Sequence, residues 1–248
     1  MTSLYLGLAL TLALTLNARF ALVRAAGTLV AITAMAFMAW SIWLANGDGT
    51  FAAAPAGSRM PFLLNIEAGL LVIGILALLW SLPGQFKRSG GEVPWRGTEA
   101  AYGHSTRGLH WAGASLVIAA YVMGQYVSIL APANPIRAEF LTTHMAIGGA
   151  IFLLTFARMF ERLVKPGPPN KVGVHWAHFF LYTLIVATCV TGLSMATAPI
   201  DLMGLKLPNL PADKFAAALH QKALPVFFLL LFVPHLAGAV KAIRRMAR

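Results

Sequence analysis

The chain has 248 residues, of which 58% are hydrophobic and only 11% charged, against roughly 45–50% and about 25% in a soluble domain. That balance excludes a soluble globular domain. It points to an all-α, polytopic membrane protein whose helices each need about 20 apolar residues to cross; the alternating pattern of a transmembrane barrel is absent. The net charge of +11 is read as loop charge held inside the cell rather than as a nucleic-acid surface. The single cysteine, Cys189, excludes an internal disulfide, a thiolate-held iron–sulfur cluster and a covalently attached haem.

The first apolar stretch, LYLGLALTLALTL (Leu4–Leu16), has no basic region before it and no small-residue cleavage site behind it, so it does not read as a cleaved signal. With Asn17 and Ala18 it is only just long enough to cross, which leaves the count open between six and seven spans. Ala25–Ala45 and Pro61–Leu82 follow as spans. The loop Pro83–Gly108 then carries KRSGGEVPWRG, a glycine- and charge-rich linker. Four spans follow it: Leu109–Leu130, Leu141–Phe160, His175–Ala198 and Leu219–Ile243. The expected organisation is N-terminal transmembrane helices over residues 1–83, a cytoplasmic linker over 84–108 and a four-helix bundle over 109–248.

Charge orients the threading. Arg19, Arg24, Lys87, Arg88, Arg96, Arg107, Arg158, Arg162, Lys165, Lys171, Lys241, Arg244, Arg245 and Arg248 fall on one side; Arg59, Arg137, Lys206, Lys214 and Lys222 fall on the other. The richer side is cytoplasmic by the positive-inside rule. The expectation is a multi-pass protein of the bacterial cytoplasmic membrane, in contact with lipid, with its C-terminus in the cytoplasm.

Six of the seven histidines follow the linker, and His104 lies within it. In this threading His110 enters its helix from the inside, His144 from the outside, and His175 and His178 from the inside. His220 enters the last helix from the outside, and His235 lies near its inner end; His104 is left in the inner loop. Two pairs therefore match in depth: His110 with His235 toward the inside, and His144 with His220 toward the outside. Along an ideal helix the fifteen residues from His220 to His235 span ~22 Å with ~60° of rotation, so both can address one bundle interior. Neutral imidazole is a common axial ligand of haem iron, and facing helices can hold one haem between them. Two such pairs predict two haems b stacked across the bilayer. A lone histidine at a helix entrance is more often an interfacial residue; four at two matched depths are not.

Small residues near the ligands, Gly113, Gly148, Gly149 and Gly238, are read as room for a macrocycle. Zinc would want about four ligands at one depth, and no carboxylate or thiol joins either pair. Glu67, in LLNIEAGLL, reads first as a hydrogen-bonding partner of a neighbouring helix, shared with Asn65, and second as part of a proton path.

The pieces YGHSTRGLHW, THMAIGGAIFLLTFARMFERLVKPGPP, VHWAHFFLYTLIVATCVTGL and LHQKALPVFFLLLFVPHLAGAV together resemble the bacterial cytochrome b561 family, four-helix di-haem cytochromes b. The resemblance runs from Tyr102 to Arg244. It implies His110 with His235 at the inner haem and His144 with His220 at the outer haem. It also implies a quinone pocket at His178. His175 stays open between a place beside the ligands and a rival partner for His110. The N-terminal helix pair departs from the family pattern and reads as a docking surface for partner subunits or a shield for the bundle.

The resemblance further implies electron transfer between an outer donor and membrane quinone as substrate. The chain is either the membrane subunit of a larger complex fed by a protein donor, or a self-contained superoxide:quinone oxidoreductase. Superoxide would be steered by positive charge, and the outer loops are nearly balanced. A transporter with a histidine proton relay is the rival class, and the broken helices and repeats common in transporters are not evident.

Overall fold

The computed structural model of the protein describes residues 2–18, 20–48, 60–86, 94–95, 97–98, 101–164, 168, 172–202 and 204–246. Arg19, Arg59, Lys87, Arg88, Arg96, Lys165, Lys171 and Arg248, and the side chains of Lys241, Arg244 and Arg245, lie outside what it describes. So does most of the KRSGGEVPWRG linker.

The described chain is helical almost throughout, in the order α1 (Thr2–Thr15), α2 (Ala21–Gly47), α3 (Met60–Phe86), α4 (His104–Ile129), α5 (Pro135–Val164), α6 (Val172–Leu193), a hairpin of β1 (Ile200–Leu202) and β2 (Leu205–Leu207), then α7 (Lys214–Ala218), a π-turn (Leu219–Ala223) and α8 (Leu224–Met246). The last three form one continuous helix. Six helices are long and apolar enough to cross a membrane; α1 is apolar but shorter. At 1.5 Å per residue, its 14 residues reach about 21 Å, short of a hydrocarbon core of about 30 Å.

Helix ends follow local chemistry. Asp213 caps α7, its carboxylate accepting from the N–H groups of Phe215 and Ala216, both at 3.1 Å. Asn134 accepts from Ile136 N–H at 3.0 Å ahead of α5, and Pro135 occupies its first turn, where a missing N–H costs nothing. The chain turns between β1 and β2 at Gly204, whose φ of +96° suits glycine alone.

His104 is the first residue of α4 rather than part of a loop: its N–H bonds Pro94 O at 3.0 Å, while Ser105 N–H reaches Trp95 O at 3.2 Å. These bonds draw the end of the linker onto the helix and narrow the inter-helix segment to residues 87–103. Across it, the Ser105 and Thr106 hydroxyls both donate to Glu161 of α5, pinning the two helices together at that end.

Core packing unites the N-terminal helices with the bundle. Ala9 of α1 is buried against Leu116, Ala119 and Met123 of α4 and Ile147 of α5. Ile42 of α2 and Leu64 and Leu71 of α3 cluster with Ile129 of α4. Leu63 of α3 meets Leu184 of α6 and Leu224 and Phe228 of α8. The outward faces of α2 and α3 carry exposed Phe37, Trp40, Trp43, Leu76 and Trp80, as expected of surfaces that meet an apolar environment.

Candidate functional site

Every histidine expected as a ligand is half-buried and faces the bundle interior; His175 alone among the seven is exposed. The rings of His144 on α5 and His220 in the π-turn are 6.0 Å apart between centroids, at 81°. Those of His110 on α4 and His235 on α8 are 6.2 Å apart, at 52°. Two imidazoles on opposite sides of one metal, each bonded at about 2 Å, set their ring centroids about 6 Å apart. Both pairs have that spacing.

At the hairpin end of the bundle the rings are fixed by backbone carbonyls. His144 Nδ1 donates to Ala120 O of α4 at 2.8 Å. His220 Nδ1 donates to Thr188 O of α6 at 2.9 Å, with the Thr191 hydroxyl 3.2 Å from the same nitrogen. A carbonyl only accepts, so the proton is on Nδ1 and each Nε2 keeps its lone pair for a metal.

Each ring also lies over a glycine four residues beyond its carbonyl. A Cβ at Gly124 would come within 3.1 Å of the His144 ring, and one at Gly192 within 3.0 Å of the His220 ring. Neither glycine was among those singled out from the sequence. The spacings A-Y-V-M-G and T-C-V-T-G, a small residue four before a glycine, were the available signal. Of the glycines that were singled out, Gly149 seats the hairpin instead, where a Cβ would meet the Leu207 side chain at 2.7 Å. Gly113, Gly148 and Gly238 face open space.

The π-turn explains how His220 and His235 share one interior. Leu224 N–H bonds Leu219 O, five residues back. Pro225 follows and has no N–H to offer Gln221 in the α pattern. The extra residue turns the ideal ~60° offset between the two histidines into ~40° on the other side.

At the opposite end His110 and His235 line a partly open cavity between the helices. Its walls are mostly apolar, including Gly113, Ala114, Val117, Ile151 and Phe228. His178 shares the cavity. Its ring is 6.0 Å from that of His235, at 82°, and its Nδ1 donates to Val174 O at 2.8 Å. The place beside His235 left open for His175 is therefore held by His178, nearly one turn further along α6, while His175 is exposed near the start of the helix. Arg158 also lines the cavity, its guanidinium 5.6 Å above the Tyr182 ring.

Among the described residues no group of three or more His, Cys, Asp or Glu side chains gathers to hold a metal ion. Two facing imidazoles, with a mostly apolar cavity beside the His110–His235 pair, instead fit a metal whose remaining ligands come from a macrocycle.

A family model described as Prokaryotic cytochrome b561 matches residues 101–247, more than half of the chain. The chain belongs to the prokaryotic cytochrome b561 family. No curated protein and no solved structure matches it. It is a multi-pass membrane protein and a b-type haem cytochrome of electron transfer. The matched region starts just before α4, so α1, α2 and α3 are what this cytochrome b561 adds to the shared bundle.

Proposed function

We propose that this cytochrome b561 carries two b-type haems and passes electrons across the membrane between a donor at the outer face and membrane quinone. His110 and His235 hold the inner haem, and His144 and His220 the outer one. Bound haem supplies the one-electron couple, and the protein supplies ligation, spacing and electrostatics. The observation that carries this reading is the pair of imidazole couples, at 6.2 and 6.0 Å, set fifteen residues apart on the final helix.

Side chains at the inner cavity suit the quinone end of the path. His178 Nδ1 is committed to Val174 O, so Nε2 accepts a quinol hydroxyl or, once protonated, donates to a quinone carbonyl. Arg158 faces the same space with Tyr182 beneath it and suits a haem carboxylate. The outer donor is a partner protein, docked with the help of α2 and α3, whose exposed aromatic faces fit another membrane subunit as well as lipid. The C-terminus lies in the cytoplasm of a bacterial cell.

The test is the absorption spectrum of the reduced, purified chain with a pyridine haemochrome assay. Two b-type haems per chain are expected, and one or none ends this reading. Copurification of a redox partner in mild detergent supports the subunit version. A lone chain that reduces quinone with superoxide supports the self-contained one.

A further inference from the structure

Glu67 lies on α3, outside the part of the chain shared with the family, and is only 6% exposed. Its Oε2 is buried and accepts no hydrogen bond. Asn65, two residues away and exposed, lies on another face of α3, where its Oδ1 accepts from Asn46 Nδ2 at 2.6 Å.

The groups around Glu67 come from three helices. From α4, the Tyr121 hydroxyl is within electrostatic reach of the carboxyl, and Gln125 follows one helical turn later. Gln125 is 3% exposed, and its Oε1 likewise has no donor. From α2, the charged residues are Arg24, at the far end, and the C-cap residue Asp48, which acts on Tyr126. On the α8 side, His220 and Lys222 stand in the π-turn, with Lys222 exposed. No charged side chain among the described residues acts on the Glu67 carboxyl.

Two buried acceptor oxygens thus lack a donor beside one tyrosine. A proton on Glu67 supplies that donor, whereas an ionised carboxylate here is costly unless positive charge lies near. The tyrosine leads to such a charge. Tyr121 donates to Pro225 O at 3.3 Å, and Pro225 closes the π-turn that presents His220. Ferric haem between two neutral imidazoles carries net positive charge at its centre; reduction removes it.

Building on the two-haem reading, we propose that Glu67 is a redox-linked proton site. It takes up one proton from water when the haem held by His144 and His220 accepts an electron from its donor, and releases the proton on oxidation. Charge balances, and no bond to the haem is made or broken. The N-terminal helices thereby couple outer-haem electron transfer to a proton.

The experiment is an optical redox titration of the full-length haem-loaded chain across pH, with each haem assigned by its ligand variants. In the wild type the outer haem's midpoint falls as pH rises, by up to 59 mV per unit, the one-electron equivalent of a tenfold change. In Glu67→Gln that slope disappears while the inner haem's behaviour is unchanged, and Glu67→Asp keeps it. Redox-difference infrared spectra of the wild type alone show a protonated-carboxyl band that grows on reduction, so a poorly folding variant does not shield the idea. A flat outer-haem midpoint in the wild type, or an unchanged slope in Glu67→Gln, overturns the proposal while two haems remain. Fewer than two haems per wild-type chain overturns the two-haem reading itself.

Discussion

The imidazole of His144 rests on Gly124. Its Nδ1 reaches Ala120 O at 2.8 Å, and a Cβ at Gly124 would come within 3.1 Å of the ring. Ala120 O is also the acceptor of the Gly124 N–H in the α-helical pattern, so one carbonyl serves the helix and the ligand together. His220 repeats the arrangement with Thr188 O and Gly192. A side chain at either glycine would press on the edge of the ring at Cε1.

Gly124→Ala and Gly192→Ala should therefore loosen haem at the hairpin end and spare the other level. Overpacking of this kind costs about 1–3 kcal/mol, or roughly five- to a hundred-and-fiftyfold in haem retention. Haem per chain and the low-temperature spectrum of the retained haem report it. Equal loss at both levels would count against a local role for these glycines.

His110→Ala, His144→Ala, His220→Ala and His235→Ala should each remove one haem, the first and last affecting a different haem from the middle two. His178 is the geometric rival at the inner level, because its ring and that of His110 lie 6.0 and 6.2 Å from His235. His178→Ala should keep both haems and slow quinone reduction. If it removes the inner haem while His110→Ala keeps it, the pairing is wrong. Exposed His175 should tolerate alanine without haem loss.

Pro225→Ala restores the N–H that the α pattern needs at Gln221 and lets the π-turn relax toward α-helix. His220 would then rotate by about one residue's 100°. The expected result is an altered or missing haem at the His144–His220 level, seen in the α-band and in the paramagnetic spectrum of the ferric haem. A wild-type spectrum would show that the turn survives without the proline.

Glu161→Ala deprives the Ser105 and Thr106 hydroxyls of their shared acceptor. Ser105 keeps Trp95 O as an acceptor at 3.2 Å, and the lost bonds are half-buried, so the cost is that of ordinary hydrogen bonds, about 0.5–1.5 kcal/mol each. The thermal unfolding midpoint in detergent should fall, while haem stoichiometry at low temperature stays at the wild-type value.

Much of this protein is local information, and the sequence carried it. Long uncharged runs determine membrane helices because an unpaired backbone group in hydrocarbon costs several kcal/mol, and the regular helical rise then gives each histidine a depth. That was enough for six spans, for the two matched levels and for the family resemblance. Where sequence reading went astray, the deciding fact was a neighbour on another helix. Gly149 has a glycine's freedom wherever it lies, but only packing assigns that space to Leu207. His175 and His178 enter α6 together, and only the rotation of α6 in the bundle turns one outward and the other toward His235. The phase of His220 depends on a π-turn, and packing buries Glu67 while Asn65, on another face of α3, stays exposed and pairs with Asn46 of α2. Helix depth is additive along a chain, so sequence alone yields it; which face meets which depends on side chains far apart in sequence competing for the same volume, and only the folded packing decides that.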